Sequence, residues 1–222
     1  PQREVTRALI ALDCTEDVLD EAIELGCDMI ITHHPLIFKG LKSITPSNYV
    51  GRIVTRALKN DIAIYAAHTN MDKAANGVSG LMAAKLGLVD VEPLNEEQLG
   101  LVGNLKEPLD WRELADMVKE RFGVEHLRCS SAVDGKISRV ALCGGSGRSF
   151  IGDAMAKGAQ AYITGDITYH EFYCERGFMV MDIGHYLSEY DVVGLFADLL
   201  CKKFPNFAVC ISRRNNNPIY YY

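Results

Sequence analysis

Two adjacent histidines, His33 and His34, close the apolar run "MIITHH" directly before Pro35. Two more histidines carry an acid four residues on, His68 with Asp72 and His185 with Glu189, and the same spacing runs in reverse from Asp166 to His170. Only His126 stands outside these motifs, and a surface or helix-end position is its expected use. Imidazole with carboxylate is the ligand set of Zn, Mn, Fe or Co in hydrolytic sites, and one carboxylate can bridge two ions. Neighbours on an extended strand point to opposite sides, and Pro35 biases His34 toward that conformation. His33 and His34 are therefore expected to serve one each of two ions about 3.5–4 Å apart rather than to chelate a single one. Two such ions would lower the pKa of a bridging water and supply a nucleophile near neutral pH, with His68 or His170 to carry the proton. Asp166 is open between a supporting place behind the ligands and a direct catalytic part.

Residues so far apart in sequence need strands that end together. "VTRALIALD" (5–13) reads as a buried strand, and "TEDVLDEAIELGCD" (15–28) as a helix. In that helix Val18, Ala22, Ile23 and Leu25 share a face, Thr15 is the N-cap and Gly26 the C-cap. "MIIT" (29–32) is the next strand, so the whole is a βαβ unit, which implies a parallel sheet covered by helices. The pattern then recurs from Ile137, where Arg139 to Gly144 answers Arg7 to Leu12 and Ile163 to Asp166 answers Ile31 to His34 at one constant offset. With a changed offset, "DIAIYAAHTNMD" (61–72) answers "FMVMDIGHYLSE" (178–189). Such self-similarity argues for a duplicated lobe. Between the copies, 91–111 is rich in Gly, Pro and acid and reads as a linker with one short strand. A helix follows it, opened by an Asp110–Glu113 capping box and stopped by Gly123. The expected organisation is an N-terminal α/β lobe over 1–90, a linker with one helix over 91–130, and a C-terminal α/β lobe over 131–222. In open parallel sheets ligands collect beyond the carboxyl ends of the strands, and His33, His34, His68, Asp72, Asp166, His170, His185 and Glu189 all fall there.

Composition narrows the partners. With 222 residues, nearly half of them hydrophobic, the chain can bury a substantial core. A net charge of −6 without a basic, aromatic-interleaved run argues against nucleic acid as a partner. Seven scattered cysteines, odd in number and never in a C-x-x-C pair, suggest neither a disulfide framework nor a zinc ribbon, and they fit reduced packing residues of a cytoplasmic protein. No run approaches the roughly 20 apolar residues of a membrane span. "GGSGRS" (144–149) lacks the P-loop lysine and the full dinucleotide glycine spacing, so it reads as a tight turn first and a phosphate contact second. Arg213 and Arg214 near the end read as a solvated pair.

The stretches "ITHHPLIFKG", "AAHTNMDKAANGVS", "YITGDITYHE" and "DIGHYLSE", with "NPIYYY" as a weaker terminal match, resemble the NIF-three-like family, whose members are often labelled GTP cyclohydrolase 1 type 2 homologs. The resemblance implies an α/β fold of two similar lobes packed around a dinuclear metal site, with two divalent ions per chain (Zn, Fe, Mn or Co). It implies His34 and Asp72 on one ion, His33 and His185 on the other, and Glu189 bridging, with His68 and His170 beside them. It further implies a toroidal homohexamer and a small-molecule substrate, a nucleotide among the candidates. Family members usually begin with a Trp-Asp-Asn-x-Gly-Leu type motif, and nothing like it precedes Val5, so either a leading segment or one wall of the pocket is expected to be missing. Longer members carry an extra domain between the lobes, for which 91–130 is too short. Two functions of different kind follow: a metal-dependent hydrolase, and a non-enzymatic metal-binding or regulatory module.

Overall fold

A computed structural model describes residues 4–220 and residue 222; Pro1, where the sequence opens, and Tyr221 of the closing tyrosine run lie outside the described residues. The chain divides into two compact units, Pro1–Thr69 with Val192–Tyr222, and Asn70–Asp191.

Unit 1 opens with β1 (Arg7–Ala11), α1 (Glu16–Glu24), β2 (Met29–Thr32), α2 (Tyr49–Lys59) and β3 (Ala63–Ala66). The strands are parallel, with Ala8 opposite Met29 and Met29 opposite Ala63. Thr15 caps α1 by accepting the Val18 N–H at 3.2 Å, and Gly26 takes the left-handed conformation just past the helix, at φ +63°. Val18 and Ala22 are buried, together with Leu19; Leu25, expected on that face, is exposed because it is the terminal cap rather than part of the last turn. Leu9, Val18, Leu19, Ala22, Ile30 and Ile53 form the core beneath.

The chain leaves unit 1 at α3 (Thr69–Asp72) and builds unit 2 from α4 (Val78–Leu86), β4 (Val89–Pro93), β5 (Leu101–Leu109), α5 (Trp111–Phe122), β6 (Arg128–Cys129), β7 (Ile137–Ser146), α6 (Ile151–Ala156), β8 (Ala161–Gly165), β9 (Met179–Asp182) and α7 (His185–Glu189). Short 3-10 turns at Arg148–Phe150 and Tyr169–Phe172 follow β7 and β8. The six strands run in the order β4-β5-β7-β8-β9-β6, parallel through β7, β8 and β9 and antiparallel elsewhere. The Asp110–Glu113 capping box and the left-handed Gly123 bound α5 as expected. The chain then returns to unit 1 as α8 (Val192–Lys203) and β10 (Ala208–Ile211), giving a four-stranded sheet of order β10-β1-β2-β3.

The protein is thus a mixed α/β fold with two sheets. The repeat read from sequence is present as two parallel triplets, and Ala8 opposite Met29 has its equivalent in Val140 opposite Ala161. The compact units divide the chain elsewhere than at 90 and 131. β4 and β5 are not linker: their backbones complete the sheet of unit 2 through β7, with Val102 opposite Ala141. Gly103, Pro93 and Pro108 mask this pairing in the sequence, since such residues ordinarily mark turns or edges. β10 closes the sheet of unit 1 on β1, with Leu9 opposite Cys210, which places the final residues beside the first strand. All seven cysteines are free thiols. Among the described residues no helix is long and apolar enough to cross a membrane.

Candidate metal centre

In unit 1 the ligand types gather where β2 and β3 end. Thr32 lies opposite Ala66, so His33, His34 and His68 come off two neighbouring parallel strands at nearly the same level. His33 is fully buried, and its Nδ1 donates to the Ala67 carbonyl at 3.0 Å. His34 is half-buried, and its Nδ1 bonds the Asp13 carboxylate at 2.8 Å. The His33 and His34 ring centres are only 5.0 Å apart, which corrects the expectation that the two imidazoles diverge. The strand stops at Thr32, so the alternation of a pleated strand no longer applies to the pair. His68 lies 5.2 Å from His33 and 5.5 Å from His34, centre to centre.

In unit 2, His185 opens α7 and Glu189 closes it, and the His185 Nε2 is 3.0 Å from the Glu189 Oε2. The other ring nitrogen, Nδ1, meets the Asp166 carboxylate at 2.7 Å. Burial opposes protonation of His185, but these two carboxylates outweigh it and raise its pKa to about 9. Asp72 offers a carboxylate oxygen within 4.8 Å of one from Glu189. Burial first, and then the charges of Asp72 and Glu189, push the Cys143 thiol up to about 12, so it stays protonated beside them. His185 beside Glu189, and Asp72 near Glu189, set imidazole and carboxylate atoms together, donor types that suit a divalent cation.

Small residues make this arrangement possible. A Cβ on Gly145 would lie 2.2 Å from the Glu189 Oε1, and one on Gly165 would lie 2.8 Å from the His185 backbone nitrogen. Ser188 ties the two segments by accepting the Gly145 N–H at 2.8 Å and donating to the His185 carbonyl at 2.7 Å. The buried Asp182 accepts the Ile167 N–H at 2.9 Å and the Gly184 N–H at 2.8 Å, so it holds in place the loops that carry Asp166 and His185. Asp166 itself is left-handed at φ +56°, a conformation that acidic residues tolerate better than most and that recurs at functional sites.

Residues 1–218 match the family model of Duf34/NIF3 (NGG1p interacting factor 3). The chain belongs to the Duf34/NIF3 family. It is 38% identical over 200 residues to the "GTP cyclohydrolase 1 type 2 homolog" of Clostridium perfringens, which covers 86% of this chain and 76% of that one. It is 40% identical over 194 residues to the protein of the same name from Streptococcus pneumoniae, covering 83% and 73% respectively. Among solved structures, a Bacillus cereus protein related to NIF3 superposes with a TM-score of 0.89 at 27% identity, over 99% of this chain and 90% of that one. Reduced HcgD from Methanocaldococcus jannaschii superposes with a TM-score of 0.80 at 28% identity, over 94% and 84%.

Of the residues singled out in this family member from sequence, His33, His34 and His68 meet in unit 1, and Asp72, Asp166, His185 and Glu189 in unit 2. His170 is exposed on the turn after β8, with its ring 5.3 Å from that of Tyr169, and falls in no group of three ligating side chains among the described residues. His126 is exposed, as expected of a lone histidine. The "GGSGRS" segment ends β7 and turns into the short 3-10 helix, and two of its amides are engaged internally. Gly145 N–H goes to Ser188, and Gly147 N–H goes to the Thr164 hydroxyl at 3.0 Å. Asp13, Ser188 and Asn215 escaped the sequence reading. Asp13 follows β1 directly, the position that the carboxyl-end rule marks, and that signal could have found it. Asn215 accepts the Asp13 N–H at 3.0 Å across nearly the whole chain, a contact no local pattern announces. Arg213 and Arg214 are no plain solvated pair, since both backbone N–H groups donate to Glu21 and the Arg214 guanidinium meets Glu24 at 3.1 Å.

Proposed function

We propose that this Duf34/NIF3 protein is a metal-dependent hydrolase that holds two divalent ions per chain and acts on a small molecule, with a nucleotide as the first candidate. The observation that carries the reading is common to His33, His34 and His185: each is gripped at Nδ1 by a carbonyl or carboxylate, and the His185 Nε2 already faces the Glu189 carboxylate. Metal-ligating histidines are held in this way, because the bond to one nitrogen fixes both the tautomer and the aim of the other. The residues present also fit the ions in kind, since imidazole and carboxylate without thiolate suit Zn, Fe, Mn or Co.

In this reading His34 and Asp72 serve one ion, His33 and His185 the other, and Glu189 both. Such ions, when bound, polarise the substrate and make water a nucleophile near neutral pH. Asp13 and Asp166 aim His34 and His185, while Gly145 and Ser188 keep Glu189 in reach. His68 and His170 lie outside the five-residue set, and proton transfer is their part; His170, exposed beside Tyr169, has the freer access to a substrate. The nucleotide enters through the name of the relatives, a cyclohydrolase label, and a phosphoester or cyclic amide would suit the same ions. A ring of identical chains, a homohexamer, belongs to the same proposal.

Elemental analysis of protein purified without chelator tests it. Two equivalents per chain, with a large loss in Glu189→Ala, are expected, followed by turnover in a screen of nucleotides and phosphoesters that His170→Ala slows without altering metal content. Near-zero metal that Mn, Fe, Co or Zn cannot restore would refute the hydrolase. Two ions with no turnover of any kind would favour the metal-binding module instead.

A further inference from the structure

The two-ion assignment draws ligands from both units and leaves His68 aside, yet the His68 ring lies 5.2 and 5.5 Å from theirs, close to the 5.0 Å that separates His33 from His34. We propose that His33, His34 and His68 form a three-imidazole site by which unit 1 alone holds one divalent ion of the Zn(II) or Co(II) type, with no ligand from unit 2. The inference shares His33 and His34 with the proposed two-ion set but does not depend on that set.

Geometry supports it first. An ion bound tetrahedrally at about 2.0–2.1 Å from each imidazole nitrogen puts the ring centres roughly 5 Å from one another. The three observed separations are 5.0, 5.2 and 5.5 Å, and the ligating atoms lie within 4.8 Å of one another. Simple ring stacking does not explain the set, because the planes are inclined at 51°, 73° and 75°. Rings at this spacing, with ligating atoms so near one another, can serve as three ligands of one ion.

The surroundings support it second. Ala67 anchors His33 and Asp13 anchors His34, so two of the three rings are aimed before any ion arrives. Phe196 packs 6.5 Å from His33 and Phe38 lies edge-on 6.2 Å from His68, giving the site an apolar wall on two sides. Three neutral imidazoles leave the ion its full charge and a fourth position for water or substrate. The Asp13 carboxylate behind His34 offsets part of that charge. His68 would then be a ligand of the first ion taken up, and its proton-carrying part would begin only once ligands from unit 2 replace it.

The test titrates the full chain with Co(II), whose visible absorption is far stronger when four-coordinate. The background carries Asp72→Asn, His185→Gln and Glu189→Gln, which removes every proposed ligand of unit 2. One equivalent of four-coordinate Co(II) is expected in this background, and adding His68→Ala should weaken it on the order of 100-fold or more. No binding in the background, or equal binding with and without His68, overturns the inference. If the background loses its circular dichroism, His68→Ala in the otherwise unaltered chain decides: a comparable loss of affinity for the first equivalent supports the site, and unchanged affinity overturns it. The two proposals fail separately. Two ions in the unaltered chain with none in the background leaves the hydrolase reading standing, whereas one ion in both leaves only the three-imidazole site.

Discussion

At the end of its second strand unit 1 carries His33 and His34, and at the equivalent point unit 2 carries Gly165 and Asp166. At the end of the first strand the pair is Asp13, just past β1, and Gly145, the penultimate residue of β7, and after the third it is His68 and His185. The three parallel strands of the two units pair in the same register along their shared length, and the residue types at their ends differ. Each unit nevertheless repeats one device: a carboxylate following one strand grips the Nδ1 of a histidine that follows the next. Asp13 does so for His34, and Asp166 for His185. The comparison teaches that a duplicated frame preserves the relation between neighbouring strand ends while the residue types at those ends exchange places. Unit 2 also reaches its histidine one residue later beyond its strand, through the left-handed Gly184 at φ +79°. That extra residue lets His185 open a helix, which brings Glu189 round to the same side one turn on.

The glycine of unit 2 should be the position least able to imitate its counterpart. Gly145→Ala puts a methyl against the Glu189 carboxylate at a φ of +62°, and a cost of about 2 kcal/mol or more is expected in urea unfolding, with a lower metal content if the proposed role of Glu189 holds. Unchanged stability and metal content would show that α7 can shift freely and that the tight fit is incidental. The two bracing carboxylates come next. Asp13→Asn and Asp166→Asn should each weaken metal affinity about 10–100-fold while leaving the stability of the metal-free protein nearly unchanged, as read by competition with a chromophoric chelator. If only one of them has an effect, the braces are not equivalent and the repeated device is a resemblance without a function.

Smaller effects distinguish the first helices. Glu21 of α1 is buried and accepts from the Ser212 hydroxyl at 2.6 Å and from the Arg213 and Arg214 amides, whereas its equivalent in α6, Asp153, accepts only from the Asn95 side chain at 3.2 Å among the bonds described. Burial works against the Glu21 charge, but those donors prevail and hold its pKa below the ordinary value. Because the folded value lies below the unfolded one, the stabilisation is complete above the unfolded pKa of about 4.3 and is lost as the pH falls through the folded value. Glu21→Gln should therefore cost about 1–3 kcal/mol at pH 7, and the difference from the parent should shrink below pH ~4. A difference that persists at acid pH would mean that shape rather than charge holds the terminal segment. Asp153→Asn should stay within about 0.5 kcal/mol of the parent at all pH values, since it removes a single weak, half-exposed acceptor.

Much of the frame was legible because strand and helix periodicity are local properties. The βαβ units, the caps at Thr15, Asp110 and Gly123, and the gathering of histidines and acids at strand ends all follow from residues within a turn or two of each other. The length and pairing of β5 were not legible, because its Gly and Pro content imitates a loop and its partner β7 lies a helix and a further strand away. The divergence expected of His33 and His34 failed for a related reason: the rule holds inside a pleated strand, and where the strand stops is set by its neighbours.

From the sequence alone came the duplicated α/β frame, the family resemblance and the kinds of ligand, since these depend on residue type and spacing. The tertiary structure decided which carboxylate braces which histidine, that Gly145 must be small because Glu189 lies against it, and that β10 and Asn215 support the first strand. Each of those joins residues far apart in the chain, and only the packing of strands side by side, which sequence separation does not encode, brings them into contact.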